Sequence, residues 1–326
     1  MLQEFVFESA PFPQAHAATI AQAGDGDLVC AWFGGTREGA RDVGIWLSRR
    51  ETGAWTRPVQ IATGEQGRLR RYPCWNPVLH QEPGGLLLLF YKIGASPSRW
   101  WGVLRRSHDG GRSWSEAERL PDGILGPIKN KPIRLADGTL LCPSSAENDG
   151  WRVHMEWTGD LGGSWHRSPP LNDRRSFMAI QPTVLAHRDG RLQLLCRTRQ
   201  GAVAECWSVD GGRSWSAMRP THLPNPDSGI DAATLADGSV LLVYNHVPNG
   251  RSPLNVAISS DGVAWMAACV LERDVGEFSY PSAIIGDDGR AHIVYTWNRR
   301  RIRYVALDVG GLRLRPLGPQ GDWPDD

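Results

Sequence analysis

Six polar residues of different types each open an apolar stretch of the sequence: His16, Asn76, Lys131, Gln181, Asp231 and Tyr280, in HAATIAQ, NPVLHQ, KPIRLA, QPTVLAH, DAATLA and YPSAIIG. An imidazole, a phenol and a carboxylate in one set can take and give protons. The amides and the lysine beside them can orient a polar ligand. Arg197 and Arg199 end another apolar stretch, LLCRTR, and guanidiniums hold carboxylates through paired, charge-assisted bonds. Only Lys92, Lys129 and Lys131 are lysines among 36 basic residues. In a chain that otherwise uses arginine, a retained lysine marks a place where a compact ammonium matters. The chemistry implied is proton or glycosyl transfer on an anionic molecule.

Residues so far apart in sequence need a repeating scaffold to bring them together. A turn followed by an apolar strand recurs at Gly26, Gly85, Gly138, Gly190, Gly238 and Gly289, as in GDGDLVCAWF, ADGSVLLVYN and DDGRAHIVYT. Each polar-headed stretch precedes one of these turns, and a third strand follows, such as VGIWLSR or AECWSV. A second motif comes after the third strand: Ser107-His-Asp109-Gly-Gly-Arg-Ser-Trp114, again from Thr158 to Trp165 and from Ser208 to Trp215, shortened at Ser259–Trp265 and degraded at Ser48–Trp55. Its Asp can accept backbone N–H groups across a tight turn, and its Trp is placed to pack between repeats. Six units of about 50 residues with short strands predict an all-β, six-bladed propeller. The strand at Gln3–Glu8 is expected to complete the last blade and close the ring. The reading is one domain over residues 1–315, with a loosely ordered tail over 316–326.

In such a blade the first strand starts, and the second strand ends, on the face away from the glycine turns. That face therefore takes the six opening residues, together with the second-strand exits Gly34–Arg37, Lys92, Ser144–Glu147, Arg197–Arg199, Asn245–His246 and Trp297. Lys92, Asn245 and His246 join the candidate binding residues on this count.

The recurring Asp motifs are identified as Asp-boxes, and the whole chain resembles the sialidase (neuraminidase) superfamily of six-bladed propellers. The resemblance implies an arginine triad for a substrate carboxylate, a tyrosine nucleophile, an assisting glutamate and an aspartate acid. On it, Arg197 matches the second triad arginine, Arg251 in NGRSPLNVAIS the third, and Tyr280 in FSYPSAI the nucleophile. His16 stands in place of the first arginine and Gln181 in place of the glutamate. Glu38 and Asp42, in GGTREGARD, are the local candidates for the acid. With those two replacements, simple sialosides are expected to be poor substrates.

Composition narrows the function. Net charge is +1, which gives no electrostatic footprint for nucleic acid or an anionic membrane. No stretch approaches the roughly 20 apolar residues of a membrane helix. The start, MLQEF, has no secretory pattern, so a cytoplasmic location is expected. Of the six cysteines, Cys30, Cys142 and Cys196 lie in apolar runs, and no CxxC or ligand-spaced cluster suggests a metal, cofactor or disulfide framework. The expected partner is a small acidic carbohydrate; oligomeric state is not assigned. The leading reading is a sialidase-like glycoside hydrolase in which arginines hold the carboxylate. Tyr280 acts as nucleophile or proton donor, His16, Asp231 and Glu38 handle protons, and Lys131, Lys92, Gln181, Asn76, Asn245 and His246 assist binding. The alternatives are a uronic-acid lyase and a non-catalytic carbohydrate-binding propeller.

Overall fold

The turn glycines set the architecture. At Gly26 and Gly289 the backbone takes φ of 88° and 73°, a left-handed geometry that glycine adopts without steric cost. Each turn folds one apolar stretch back on the next, so the stretches pair antiparallel. The computed structural model describes residues 1–175, 177–318 and 321–324, with no helix among the described residues. Six sheets of four or five strands follow one another along the chain. Blade one runs outwards through Gln14–Gln22, Leu28–Gly35, Gly44–Glu51 and Val59–Ala62. The inner strands of blades two, three, four and five are Cys74–Gln81, Ile133–Arg134, Ala179–Ala186 and Asp231–Thr234. Blade six holds Phe278–Ile285, Ala291–Trp297 and Arg301–Leu307. Its fourth strand is Leu2–Phe5, with Leu2 opposite Ala306 and Phe5 opposite Arg303. The N-terminal strand thus closes the ring, as the sequence predicts.

The core lies between blades rather than in one central mass, because each sheet is apolar on both faces and stacks on its neighbours. Between blades six and one, Trp32, Val294 and Tyr304 meet Val6, Phe7 and Phe12 from the N-terminal segment. The Asp motifs clamp the outer turns. Asp109 accepts the Ser113 and Arg112 N–H groups at 2.9 and 3.0 Å and the Ser107 hydroxyl at 2.7 Å. The Ser113 bonds above all hold its carboxyl well below the usual carboxylate range. The tryptophan of each motif packs against the preceding blade: Trp165 of blade three meets Phe90 of blade two, ring centres 6.2 Å apart.

The tail departs from expectation where it is described. Arg315–Pro316 adds a strand to blade five, opposite Ala267 and Met266. Trp323 packs on His246 with ring centres 5.0 Å apart. Leu317 and Trp323 also pack on the blade-five core, and such short contacts leave no periodic signal in the sequence.

Candidate functional site

Four inner strands share one irregularity. In blades one, two, four and six the ladder slips between His16 and Thr19, Trp75 and Val78, Ile180 and Thr183, and Ser279 and Ser282. Two residues there oppose one, which is a β-bulge. The first bulged residue is left-handed: Ala17 at φ 54°, Asn76 at 36°, Gln181 at 54° and Tyr280 at 54°. Each costs about 1–2 kcal/mol, and such strain is held where the surrounding structure must aim a side chain. All four stand nine positions ahead of their blade's turn glycine, as do Lys129 in blade three and Gly229 in blade five.

Side chains from five blades converge at Tyr280, which is buried. The guanidinium carbons of Arg197 and Arg251 lie 5.3 and 5.8 Å from its ring centre. The Lys129 ammonium is at 5.7 Å and the His16 ring centre at 4.3 Å. Arg197 lies over Trp151 at 4.9 Å and donates to the Asp227 carbonyl at 2.9 Å. Arg251 donates to Glu277 Oε1 at 3.1 Å, and Arg299 donates to the same oxygen at 2.7 Å. Arg299 also pairs with Glu38. Gly229 is required between these groups: a Cβ there would lie 2.9 Å from Lys129 Cε and 3.3 Å from Tyr280 Cδ2.

Burial and charge set the protonation of these groups. Burial, then the charges of Arg299, Arg251, Arg197 and Lys129, push the His16 imidazole well below its ordinary pKa. It stands neutral and able to accept a proton. Burial pushes Lys129 down to about 7 against the opposing charge of Asp231. Its ammonium donates to Pro281 O, Asn130 Oδ1 and Ile230 O at 2.6, 2.8 and 3.0 Å. Burial raises the Glu147 carboxyl, while Arg197 and Arg199 oppose the rise. His16 Nδ1, Gln181 Oε1 and Arg197 Nε are buried and have no hydrogen-bond partner among the described residues. An unpaired buried polar atom costs about 1–3 kcal/mol, so these atoms are open to a further polar partner.

Several residues from the sequence reading lie elsewhere. Lys131 and Asp231 pair with each other below Tyr280. Asp231 also accepts the Ala283 N–H at 2.8 Å and the Thr183 hydroxyl at 3.0 Å, and is fully buried. Lys131 lines a cavity of about 730 Å³ that reaches the strand ends at Gln22 and Gln81, on the glycine-turn side. Both stand seven positions, not nine, before their turn glycines, so two further residues carry them past the mouth. Asp231 is a tie between blades, not an acid at the site. Lys92 is buried between blades two and three, bonded to the Pro127 carbonyl, and burial lowers it to about 7. Asn245 donates to the carbonyls of Pro253 and Phe278 at 2.8 and 2.9 Å, and so positions the Arg251 loop instead of a ligand. His246 bonds to Tyr244 and lies under Trp323; burial lowers it to about 4. Asn76 and Gln181 occupy bulge positions. His16 precedes its bulge by one residue yet still reaches Tyr280. Asp42 is engaged by the Thr36 N–H and hydroxyl, both at 2.7 Å. Sequence reasoning marked Lys129 as a retained lysine and Glu147 as a strand exit on the site face without giving either a role, and missed Arg299. Counting nine back from Gly138 sets Lys129 at the mouth. Arg299 carries no sequence signal of its own.

Comparison with known proteins places this geometry. The profile of the BNR repeat-like domain matches residues 26–293. A curated protein named anhydrosialidase, from Macrobdella decora, is 24% identical over 250 residues, covering 66% of this chain and 32% of the relative. The chain therefore spans about a third of that relative's length. A NanB sialidase variant from Streptococcus pneumoniae superposes with TM-score 0.77 at 12% identity, over 94% of this chain and 71% of that one. The intramolecular trans-sialidase from Ruminococcus gnavus gives 0.74 at 13% identity, over 96% and 98%. At such identities the structural likeness is one of fold.

Proposed function

The chain belongs to the BNR repeat-like family, within the sialidase-like six-bladed propellers, and on that premise we propose a glycoside-processing enzyme acting on a carboxylate-bearing sugar. The observation that carries the proposal is the convergence of Arg197 and Arg251 on Tyr280 at 5.3 and 5.8 Å. Two guanidiniums at a partly dry mouth suit a carboxylate. In this reading the phenol beside them faces the ring carbon that bears that carboxylate. The names of the relatives, sialidase, anhydrosialidase and intramolecular trans-sialidase, make sialic acid and its anhydro forms the first sugars to try.

In this proposal Tyr280 attacks the anomeric carbon as its O–H bond breaks, and neutral His16 takes the proton. A phenol needs such a base to become nucleophilic, and Gln181 cannot serve. The leaving oxygen needs a proton donor. Glu38 is paired with Arg299, whereas burial keeps the Glu147 carboxyl raised, so Glu147 suits the acid role better. Water then releases the sugar from Tyr280. Tyrosine nucleophiles are a recognised departure from two-carboxylate glycosidases.

One observation favours a second chemistry. A neutral imidazole 4.3 Å from a phenol, beside arginines that neutralise a carboxylate, also suits proton abstraction and elimination from a uronic acid. Incubation with sialylated and uronic-acid oligosaccharides separates the cases. A reducing sugar supports hydrolysis, an ultraviolet-absorbing unsaturated product supports elimination, and saturable binding without product supports a lectin. If no acidic oligosaccharide is bound or altered, the proposal fails.

A further inference from the structure

One seam of the ring lacks the indole that the Asp motifs supply elsewhere. In blade four the residue two places after the turn glycine, Leu192, faces Ser208, and the motif runs on to Trp215. In blade six that place is Ala291, which faces Leu307. Leu307, Val309 and Leu314 therefore stand where Ser208, Asp210 and Trp215 stand in blade four. All three motif side chains have become aliphatic. The other motif tryptophans fill the seam with the preceding blade. Trp55 meets Tyr304 of blade six and Trp165 meets Phe90 of blade two, with ring centres 5.3 and 6.2 Å apart. Trp265 is 3% exposed, in the core that holds Leu185 and Leu195 of blade four. Trp114 and Trp215 join the cores of the seams before blades two and four. Leu314, by contrast, is 40% exposed.

The seam between blades five and six holds a cavity instead. It measures about 640 Å³ and is walled by Leu235 and Ile258 of blade five, Ile285 of blade six, and Val309, Leu312 and Leu314 of the altered motif. The equivalent space between blades three and four, bounded by Leu135, Trp157 and the turn at Gly211, measures about 310 Å³ with Trp215 in place. Trp157 is the counterpart of Ile258, since each faces the third residue after its blade's turn glycine, Leu141 and Leu241. Two indoles are thus absent from one seam, and the space left is of the size that holds a small molecule. After Leu314 the chain crosses to blade five, where Arg315 and Pro316 face Ala267 and Met266. Among the described lining residues only Leu314 is an exposed large hydrophobe. That is too little apolar surface for a protein partner, which covers roughly 800 Å² on each side.

The polar groups select the class of ligand. Asp237 is the one charged residue of the described lining, with Ser239 and Ser260 beside it. The Ser239 hydroxyl and N–H donate to Asp237 Oδ1 at 2.5 and 2.9 Å, and these bonds hold the carboxyl below its ordinary range. Arg188 of blade four also acts on this carboxyl, but donates to the Ala236 carbonyl at 2.9 Å. An ionised carboxylate at an apolar cavity accepts an N–H or an ammonium and repels another carboxylate. We propose that the seam between blades five and six is a second binding site, taking a planar aromatic amine of indole size in the place of the absent motif tryptophan. The site lies among the glycine turns, at Asp237 and Gly289, on the face away from Tyr280. It stands independently of the sugar reading.

Calorimetric titration of the whole protein tests this with tryptamine and indole-3-acetate as probes. Tryptamine is expected to bind saturably at one site, at least tenfold more tightly than indole-3-acetate. Leu314→Trp restores the motif residue, and Ile258→Trp restores the indole that blade three carries at Trp157. Each should weaken tryptamine tenfold or more, and at least one should raise the melting temperature by filling the seam. Asp237→Asn should bring the two probes within about threefold of each other. Absence of saturable tryptamine binding overturns the inference. So does equal affinity of the wild type for the amine and the acid. Tryptamine affinity that survives both fillings unchanged also overturns it, and assigns the amine to the carboxylates around Tyr280. If one filled variant does not fold, the other fills the same cavity from the facing blade. Asp237→Asn, at an exposed residue, keeps the test open in either case.

Discussion

Tyr280 is enclosed by cations on one side and an uncharged imidazole on the other. Removing only its hydroxyl leaves the ring to support these contacts. Tyr280→Phe is therefore expected to bind an acidic sugar within about threefold of wild type and to lose turnover by about 10²-fold or more, the range of a lost nucleophile or proton relay. Full activity in that variant would reduce the phenol to packing. The His16 imidazole gives a second test through pH. Its folded pKa is lowered, so the unfolded chain binds a proton first as pH falls through about 6.5. Stability contributed by neutral His16 is then present above that pH and declines below it, until the folded group also protonates. The acid limb of kcat/KM should lie below pH 6.5 and move in His16→Asn. If the two proteins share one profile, His16 is not the base. Lys129 follows the same sign at higher pH. Its folded pKa of about 7 lies below the ordinary 10.5, so it contributes a rise in stability between those values. Lys92, also lowered to about 7, adds a parallel rise, so the comparison is the slope of wild type against Lys129→Met.

At the scale of the strand, the bulge decides which residues reach the mouth. Gly229 holds the position in blade five that the bulges occupy elsewhere, and a methyl there meets Lys129 and Tyr280 at 2.9 and 3.3 Å. Gly229→Ala is expected to fold, since Lys129 Cε belongs to a flexible chain, and to bind an acidic sugar at least several-fold more weakly. Undiminished binding would show that the Lys129–Tyr280 spacing is not critical. Asp231→Asn belongs to the layer below. It leaves Lys131 partly buried without its counter-ion, and breaking such a pair costs about 3–5 kcal/mol, read as a lower unfolding midpoint. These elements also explain what the sequence concealed. The turns and Asp motifs repeat locally, so the six blades and a closing N-terminal strand, expected at Gln3–Glu8 and found at Leu2–Phe5, were legible. Tyr280 and Arg197 stood out because their chemistry and their places in the repeat coincide. Lys131 and Asp231 misled because a polar residue opening an apolar stretch looks the same on either side of a bulge, and only the distance to the turn glycine distinguishes the two levels. Arg299 was hidden because a left-handed Asn-Arg pair has no composition signal where glycine would be expected.

Ring closure ties these local arrangements to the whole molecule. The site takes Arg299 from blade six and His16 from blade one, so the seam between the chain's first and last blades runs through it. That seam is held by the N-terminal segment. Leu2–Phe5 pairs with Arg301–Leu307, Val6 donates to the Ile302 carbonyl at 2.9 Å, and Val6, Phe7 and Phe12 are buried against Trp32, Val294 and Tyr304. Burying an apolar side chain of this size contributes about 1.5–3 kcal/mol. Val6 and Phe7 alone therefore account for several kcal/mol, a large part of the net stability of an ordinary domain. Deleting residues 1–8 also uncovers Arg301–Leu307 as an edge strand, with unpaired N–H and C=O groups that invite association. The shortened protein is expected to unfold at least 10 °C lower and to self-associate on size-exclusion chromatography. It should also lose acidic-sugar affinity more than tenfold, because the turn bearing Arg299 is no longer braced. Truncation after Leu314 removes a two-residue strand and Trp323, which contact Ala267, Met266 and His246 of blade five. That variant should lose stability but keep the affinity of the wild type at a temperature where both are folded. If both truncations lower affinity alike, the seam has no special part in the site, and its geometry depends on overall stability alone.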